Sequence, residues 1–210
     1  MNHQTVTKRE LKKAQRAYKE QEPRDVVYRA ATALIDLAIR KEVKLSTGEA
    51  LAILLQSWNK AYYRFRSFDN QHFTDLERIL EKYQSELARF RQRSIESYCD
   101  VDVKAIKKVF GSFEMVLGPV GAAKCLHLLA PTFFPLWDRA IANAYRLALW
   151  RRGWNAERYC DFMTITKQQV YLTRLKLAHR RTVESRGSGG YPFDACGSST
   201  DYPGSGRWPA

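Results

Sequence analysis

Apolar residues in this chain recur three and four apart over most of its length, and no run alternates long enough to make a convincing strand. That spacing confines the chain to helices packed on helices. In DVVYRAATALIDLAIRK the stripe reads Val26, Ala30, Leu34, Leu37 and Ala38. Pro23 suits the first turn of that helix. Ser46 or Thr47 can cap the next, which holds LAILLQSWNKAYYRF, and Thr74 with Glu77 has the form of a capping box for DLERILEKYQSELARFRQR. Asp100 or Asp102 begins VKAIKKVFGSFEMVL, and a last helix runs from about Asn155 to Glu184. Its basic face carries Arg158, Lys167, Arg174, Lys176, Arg180 and Arg181. The expectation is an all-α fold, a single helical domain of seven to eight helices over 23–186. A basic helix or arm over 1–22 precedes it. A tail over 187–210, with 13 of its 24 residues Gly, Ser or Pro, is expected to be disordered.

Charge narrows the function. Lys and Arg number 35 against 22 Asp and Glu, a formal +13 that points toward polyanions. Several chemistries lack their residues. There is no GxxxxGK[ST], GxGxxG or HExxH pattern. His3, His72, His127 and His179 are widely spaced, and Cys99, Cys125, Cys160 and Cys196 form no CxxC pair. No metal or other cofactor is therefore expected, and the cysteines read as reduced thiols of a cytoplasmic protein. The longest uncharged apolar run, Cys125 to Trp137, contains two prolines and is far short of the roughly 18–20 residues of a membrane span. The opening MNHQTVTKRELKK has no apolar stretch of the secretory-signal kind. No membrane partner is expected.

The most distinctive stretch is LGPVGAAKCLHLLAPTFFPLWDRAIANAYRL, Leu117 to Leu147. Its glycines and prolines predict a turn at Gly118–Gly121, a short helix at Ala122–Leu129, a loop at Ala130–Leu136 and a helix from Asp138 onward. This order resembles the helix-hairpin-helix DNA glycosylases, particularly the 8-oxoguanine glycosylase and endonuclease III branches. The matching residues are Leu117, Gly118, Val120, Gly121 and Lys124, then Phe134, Pro135, Asp138 and Ile141. Upstream, LAILLQSWNKAYYR resembles the family helix whose polar residues line the base pocket. Here the turn is GPVG, and Lys124 lies three residues past Gly121, where the family usually has two. The phrase also resembles uncharacterised proteins sharing a KxLHxLxPxxFPxWD core.

The glycosylase resemblance implies a helix-hairpin-helix-like corner, a duplex DNA partner carrying a lesion, and a monomer. It implies Lys124 as nucleophile and Asp138 as activating carboxylate. Gly118 and Gly121 would grip a phosphate, and Gln56, Trp58, Asn59 and Trp137 would face the base. Arg139, Lys107 and Lys108 are placed to neutralise DNA phosphates, and Lys104, Arg146, Arg151 and Arg152 add to that charge.

The chemistry can be argued from the residues alone. An attacking amine must be deprotonated part of the time, and lysine in water, with a pKa of about 10.4, rarely is. A helix start and apolar neighbours, as in GAAKCLHLL, disfavour the ammonium. Plainer readings stand beside this one. Lys124 can be a solvated helix residue, Asp138 an N-cap, Trp137 a core aromatic and His127 a satisfied half-buried residue. The alternatives to an enzyme are a non-catalytic basic helical nucleic-acid binder or a helical protein-interaction module.

Overall fold

Ser46 and Glu49 show how tightly local chemistry sets the helix starts. The Ser46 hydroxyl accepts the Glu49 N–H (3.0 Å), and the Glu49 carboxylate accepts the Ser46 N–H (2.6 Å), a reciprocal cap at the head of Thr47–Trp58. The structure is a computed structural model, and it describes residues 8–21, 26–58, 60–64 and 69–187. Within these the chain is all-α, with nine helical segments and no strand. They are α1 (Lys8–Gln21), α2 (Val26–Ile39), α3 (Thr47–Trp58), α4 (Lys60–Tyr63), α5 (Asn70–Lys82), α6 (Gln84–Arg91), α7 (Asp100–Leu129), α8 (Arg139–Ala144) and α9 (Ala156–Gly187). A 3-10 turn, Ile95–Ser97, precedes α7. Eight of the helices, α2 to α9, belong to the helical domain expected over 23–186, with α4 a single turn and Tyr83 dividing α5 from α6; α1 lies in the N-terminal arm. The chain divides into two units, 1–174 and 175–210. The tail expected to be disordered lies, after Gly187, outside the described residues.

Several sequence expectations shift. The buried stripe of α2 is Ala31, Ile35 and Ala38; Val26 and Ala30 are exposed. Helix α5 starts at Asp69, whose carboxylate accepts the His72 N–H (2.9 Å), five residues before the expected Thr74 cap. Thr74 sits inside the helix and donates to the Asn70 carbonyl. Glu77 reaches the Ser46 hydroxyl instead (3.1 Å). At α7 the cap is Cys99. Asp102 accepts the Cys99 N–H (3.1 Å) and a fork of two bonds from Arg93 (2.7 and 2.8 Å). The guanidinium holds the Asp102 carboxyl below the usual carboxylate range.

The core is a continuous aromatic and aliphatic cluster around α7, with Phe90, Phe110, Phe113, Phe133, Phe134, Trp137 and Tyr159 fully enclosed. Over one 18-residue window α7 is long and apolar enough by length and composition to cross a membrane, and 61% of that window is buried. Charged residues such as Lys107, Lys108 and Glu114 interrupt α7, so no long uncharged run marks it in the sequence.

Candidate functional site

The Leu117–Leu147 stretch folds as a corner. Two helical limbs meet inside α7 at Gly118, whose φ of 72° and ψ of 171° are open essentially to glycine alone. Pro119 begins the second limb at once, in the position where a missing N–H costs nothing. The expected turn over Gly118–Gly121 is thus a one-residue kink, and Gly121 already lies in the second limb. That limb ends at Leu129, a turn follows, and Asp138 caps α8 by accepting the Ile141 N–H (2.8 Å).

His127 holds this corner together. Its Nδ1 donates to the Phe134 carbonyl (2.7 Å), so its Nε2 accepts from the Tyr28 hydroxyl (2.8 Å). Burial pulls its pKa down, against the carbonyl bond that raises it, and keeps the ring neutral. The half-buried, satisfied reading of this histidine is the one the structure gives.

An open recess of about 720 Å³ lies at the kink. Its walls include Tyr62 of α4, Gly118 to Gly121, the start of α8 with Asp138 and Arg139, and Leu149 with Trp150. The Tyr62 hydroxyl donates to the Val116 carbonyl (2.5 Å) and accepts from Arg152 (2.9 Å), which also lies over the Tyr62 ring. Lys124 is half-buried one helical turn before His127. Burial lowers its pKa, and the carboxylate of Asp138 partly restores it. Lys124 does not line the recess that Asp138 opens onto.

The remaining expected site residues are scattered. Gln56 is exposed on α3 and does not line the recess. The backbone of Trp58 ends α3, its side chain is not described, and Asn59 lies outside the described residues. Trp137 cannot face a base: it is fully buried among Phe110, Tyr159 and Phe162. Lys107 pairs with Glu157 of α9 (3.2 Å), while Lys108 is exposed. Both precede Gly118 by ten or more residues, about 15 Å along the helix, so they stand apart from the recess. The basic face expected on α9 is partly engaged, since Lys167 donates to the Tyr98 carbonyl (2.5 Å) and Arg174 pairs with Glu96 (2.6 Å). Lys176, Arg180 and Arg181 have side chains outside the description.

Sequence reasoning missed Tyr62 as a wall of the recess, and Trp150. The signal for Trp150 was present in WRRGW, where two tryptophans interrupt a basic turn that offers little to bury them. Among the described residues no cluster of three His, Cys, Asp or Glu forms a metal site. Burial pushes the Cys160 thiol up to about 12 and Cys125 up as well, so neither is a thiolate at neutral pH. No protein-family model matches this chain, and no curated protein or solved structure matches it either.

Proposed function

We propose that this chain is a DNA glycosylase-like protein that excises an altered base, with Lys124 as nucleophile and Asp138 as its carboxylate partner. The observation that carries the reading is the Lys124–Asp138 corner. A half-buried amine has its charged form disfavoured by burial, and the carboxylate that acts on it opens onto a recess whose mostly apolar wall also carries Arg139, Tyr62 and Trp150. In this reading the Gly118 kink and the start of the second limb meet a phosphate, helped by the positive end of the helix. Arg139 and Arg152 neutralise neighbouring phosphates.

The chemistry balances with these groups and one proton from solvent, which the departing base takes up. The neutral Lys124 Nζ forms a bond to the sugar C1′ as the bond from C1′ to the base breaks. The bonding pair leaves with the base, which takes up a proton. The Nζ gives a proton to Asp138, and Asp138 passes it to O4′ as the C1′–O4′ bond breaks and the nitrogen lone pair forms a protonated imine. Asp138 as a carboxylate also stabilises positive charge on the sugar during this step.

Base release from duplexes carrying a panel of single lesions tests the reading. One lesion should be released by the native chain, with a loss of about 100-fold or more in Lys124→Gln and in Asp138→Asn. Asparagine still caps α8, so the second variant keeps the fold. No release on any lesion would overturn the enzyme reading. A specific observation supports a second one, a non-catalytic DNA binder. Asp138 is already engaged as a cap and Lys124 does not line the recess. On that reading both variants bind duplex as the native chain does.

A further inference from the structure

The segment joining α8 to α9, LALWRRGWN, is built from below by two fully buried polar side chains. The Glu114 carboxylate accepts the Gly153 N–H (2.9 Å) and the Asn155 Nδ2 (2.6 Å). Asn155 accepts the Trp150 N–H on Oδ1 (2.7 Å) and donates from Nδ2 to the carbonyls of Trp150 (3.2 Å) and Arg151 (2.9 Å). Gly153, at φ 87°, closes the turn in a conformation that favours glycine. An enclosed carboxylate and amide are costly unless satisfied. Here they are satisfied by the loop backbone itself, which fixes the loop in one shape.

That rigid loop turns its apolar groups outward. Trp150 and Trp154 are each 56% exposed, and Met115, beside Gly153, is 57% exposed. The Arg158 guanidinium lies 4.0 Å from the Trp150 ring centre, and that of Arg151 lies 4.6 Å from the Trp154 ring centre. Among the described residues no carboxylate forms an ion pair with Arg139, Arg146, Arg151, Arg152 or Arg158. Two half-exposed indole rings, each with a guanidinium over one face that no described carboxylate neutralises, match a polyanion that also offers flat π faces. An unpaired nucleic-acid strand has both properties. A duplex hides its base faces, and an acidic protein lacks regularly spaced ones.

We propose that Trp150 and Trp154 form a stacking platform for unpaired bases of a single-stranded DNA segment, with Arg151 and Arg158 neutralising its phosphates. Trp150 also lines the recess, so a strand lying on the platform runs past Asp138. This deepens the DNA reading and rests on its nucleic-acid partner, not on a chemical role for Lys124.

The test is fluorescence anisotropy of the full chain with a labelled 12-nucleotide oligothymidine and with a 12-base-pair duplex. Trp150→Ala and Trp154→Ala should each weaken oligothymidine binding about fivefold or more, and change duplex binding less than about twofold. The Trp→Phe variants should recover most of the loss, and melting by circular dichroism should stay native because both side chains are exposed. The platform is overturned if the alanine variants bind oligothymidine like the native chain, or if loss is equal on both ligands. Base release with no effect of the tryptophans sinks the platform and leaves the glycosylase reading. Tryptophan-dependent single-strand binding without base release supports the platform and sinks the catalytic reading. Binding to neither nucleic acid overturns both.

Discussion

Arg146 closes α8 with a φ of 58°, a left-handed backbone that a side chain makes unfavourable. The Arg146 N–H reaches the Asn143 carbonyl and the Leu147 N–H reaches Ala142, the pair of bonds at which helices usually place glycine. Lys41 does the same at the end of α2, with φ 59°. Arg146→Gly should therefore raise the unfolding free energy by about 0.5–1 kcal/mol in urea melts. If the charge faces DNA, the same change weakens duplex binding by a few-fold. A destabilised Arg146→Gly chain would contradict this account of the cap. At Lys124 the sign of the pKa shift matters in another way. A lowered value means that the neutral amine becomes populated at lower pH than for a free lysine. Imine formation on abasic DNA should rise with pH and level off below the ordinary lysine value of about 10.4. A profile that keeps climbing past that value would show an unperturbed amine.

Elements add what single residues cannot. Gly118 is the corner on which both halves of the candidate site depend. An alanine there must hold a glycine-only backbone and bring its Cβ to 3.4 Å from the Tyr62 ring. Gly118→Ala should cost about 1–3 kcal/mol and weaken duplex binding together, measured by melting and anisotropy. At the other end of α7, Asp102→Asn leaves Arg93 facing an uncharged amide at a nearly enclosed site. The loss should be near the lower limit for broken buried pairs, about 3 kcal/mol, because Arg93 keeps partial access to water. The Asp102 carboxyl is held below its unfolded value of about 3.9, so its contribution is present above that pH and fades as pH falls through the lower folded value. Asp102→Asn should flatten the acid limb of the stability profile below about pH 4.

Elements also show how much could be read from the chain. The helices follow from three- and four-residue spacing, and the Ser46 and Asp138 caps follow from short polar side chains before apolar runs. The expected stripe of α2 holds at Leu34 and Ala38 and fails at Val26 and Ala30, because periodicity identifies a face only up to rotation when Val26, Ala30 and Ala31 are all small or apolar. The Thr74–Glu77 pattern does not mark the helix start because Asp69, five residues earlier, caps it and Glu77 is engaged by Ser46. The Gly118 kink looked like a hairpin, since sequence does not reveal whether glycine opens a loop or joins two helices. The Glu114–Asn155 network was illegible because its partners are 41 residues apart.

For the whole molecule, +13 is the property that a polyanion meets first. Among the described residues no carboxylate pairs with the arginines near the recess and on the WRRGW loop, whereas Lys107 and Arg174 are paired with acidic side chains. If four of these arginines each displace a counterion, log affinity for duplex DNA should fall with log salt at a slope of about −4, and Arg139→Gln should reduce its magnitude by about one. Lys107→Gln, which removes a paired charge, should leave the slope nearly unchanged. Salt dependence tests the surface, and the chemistry has a more direct test. The native chain and Lys124→Gln are incubated with lesion-bearing duplex and borohydride, and the covalent complex is resolved on a denaturing gel. A trapped species with the native chain and none with Lys124→Gln is the predicted result. An equal yield from both, or no trapped species with any lesion or with abasic DNA, contradicts Lys124 as the nucleophile.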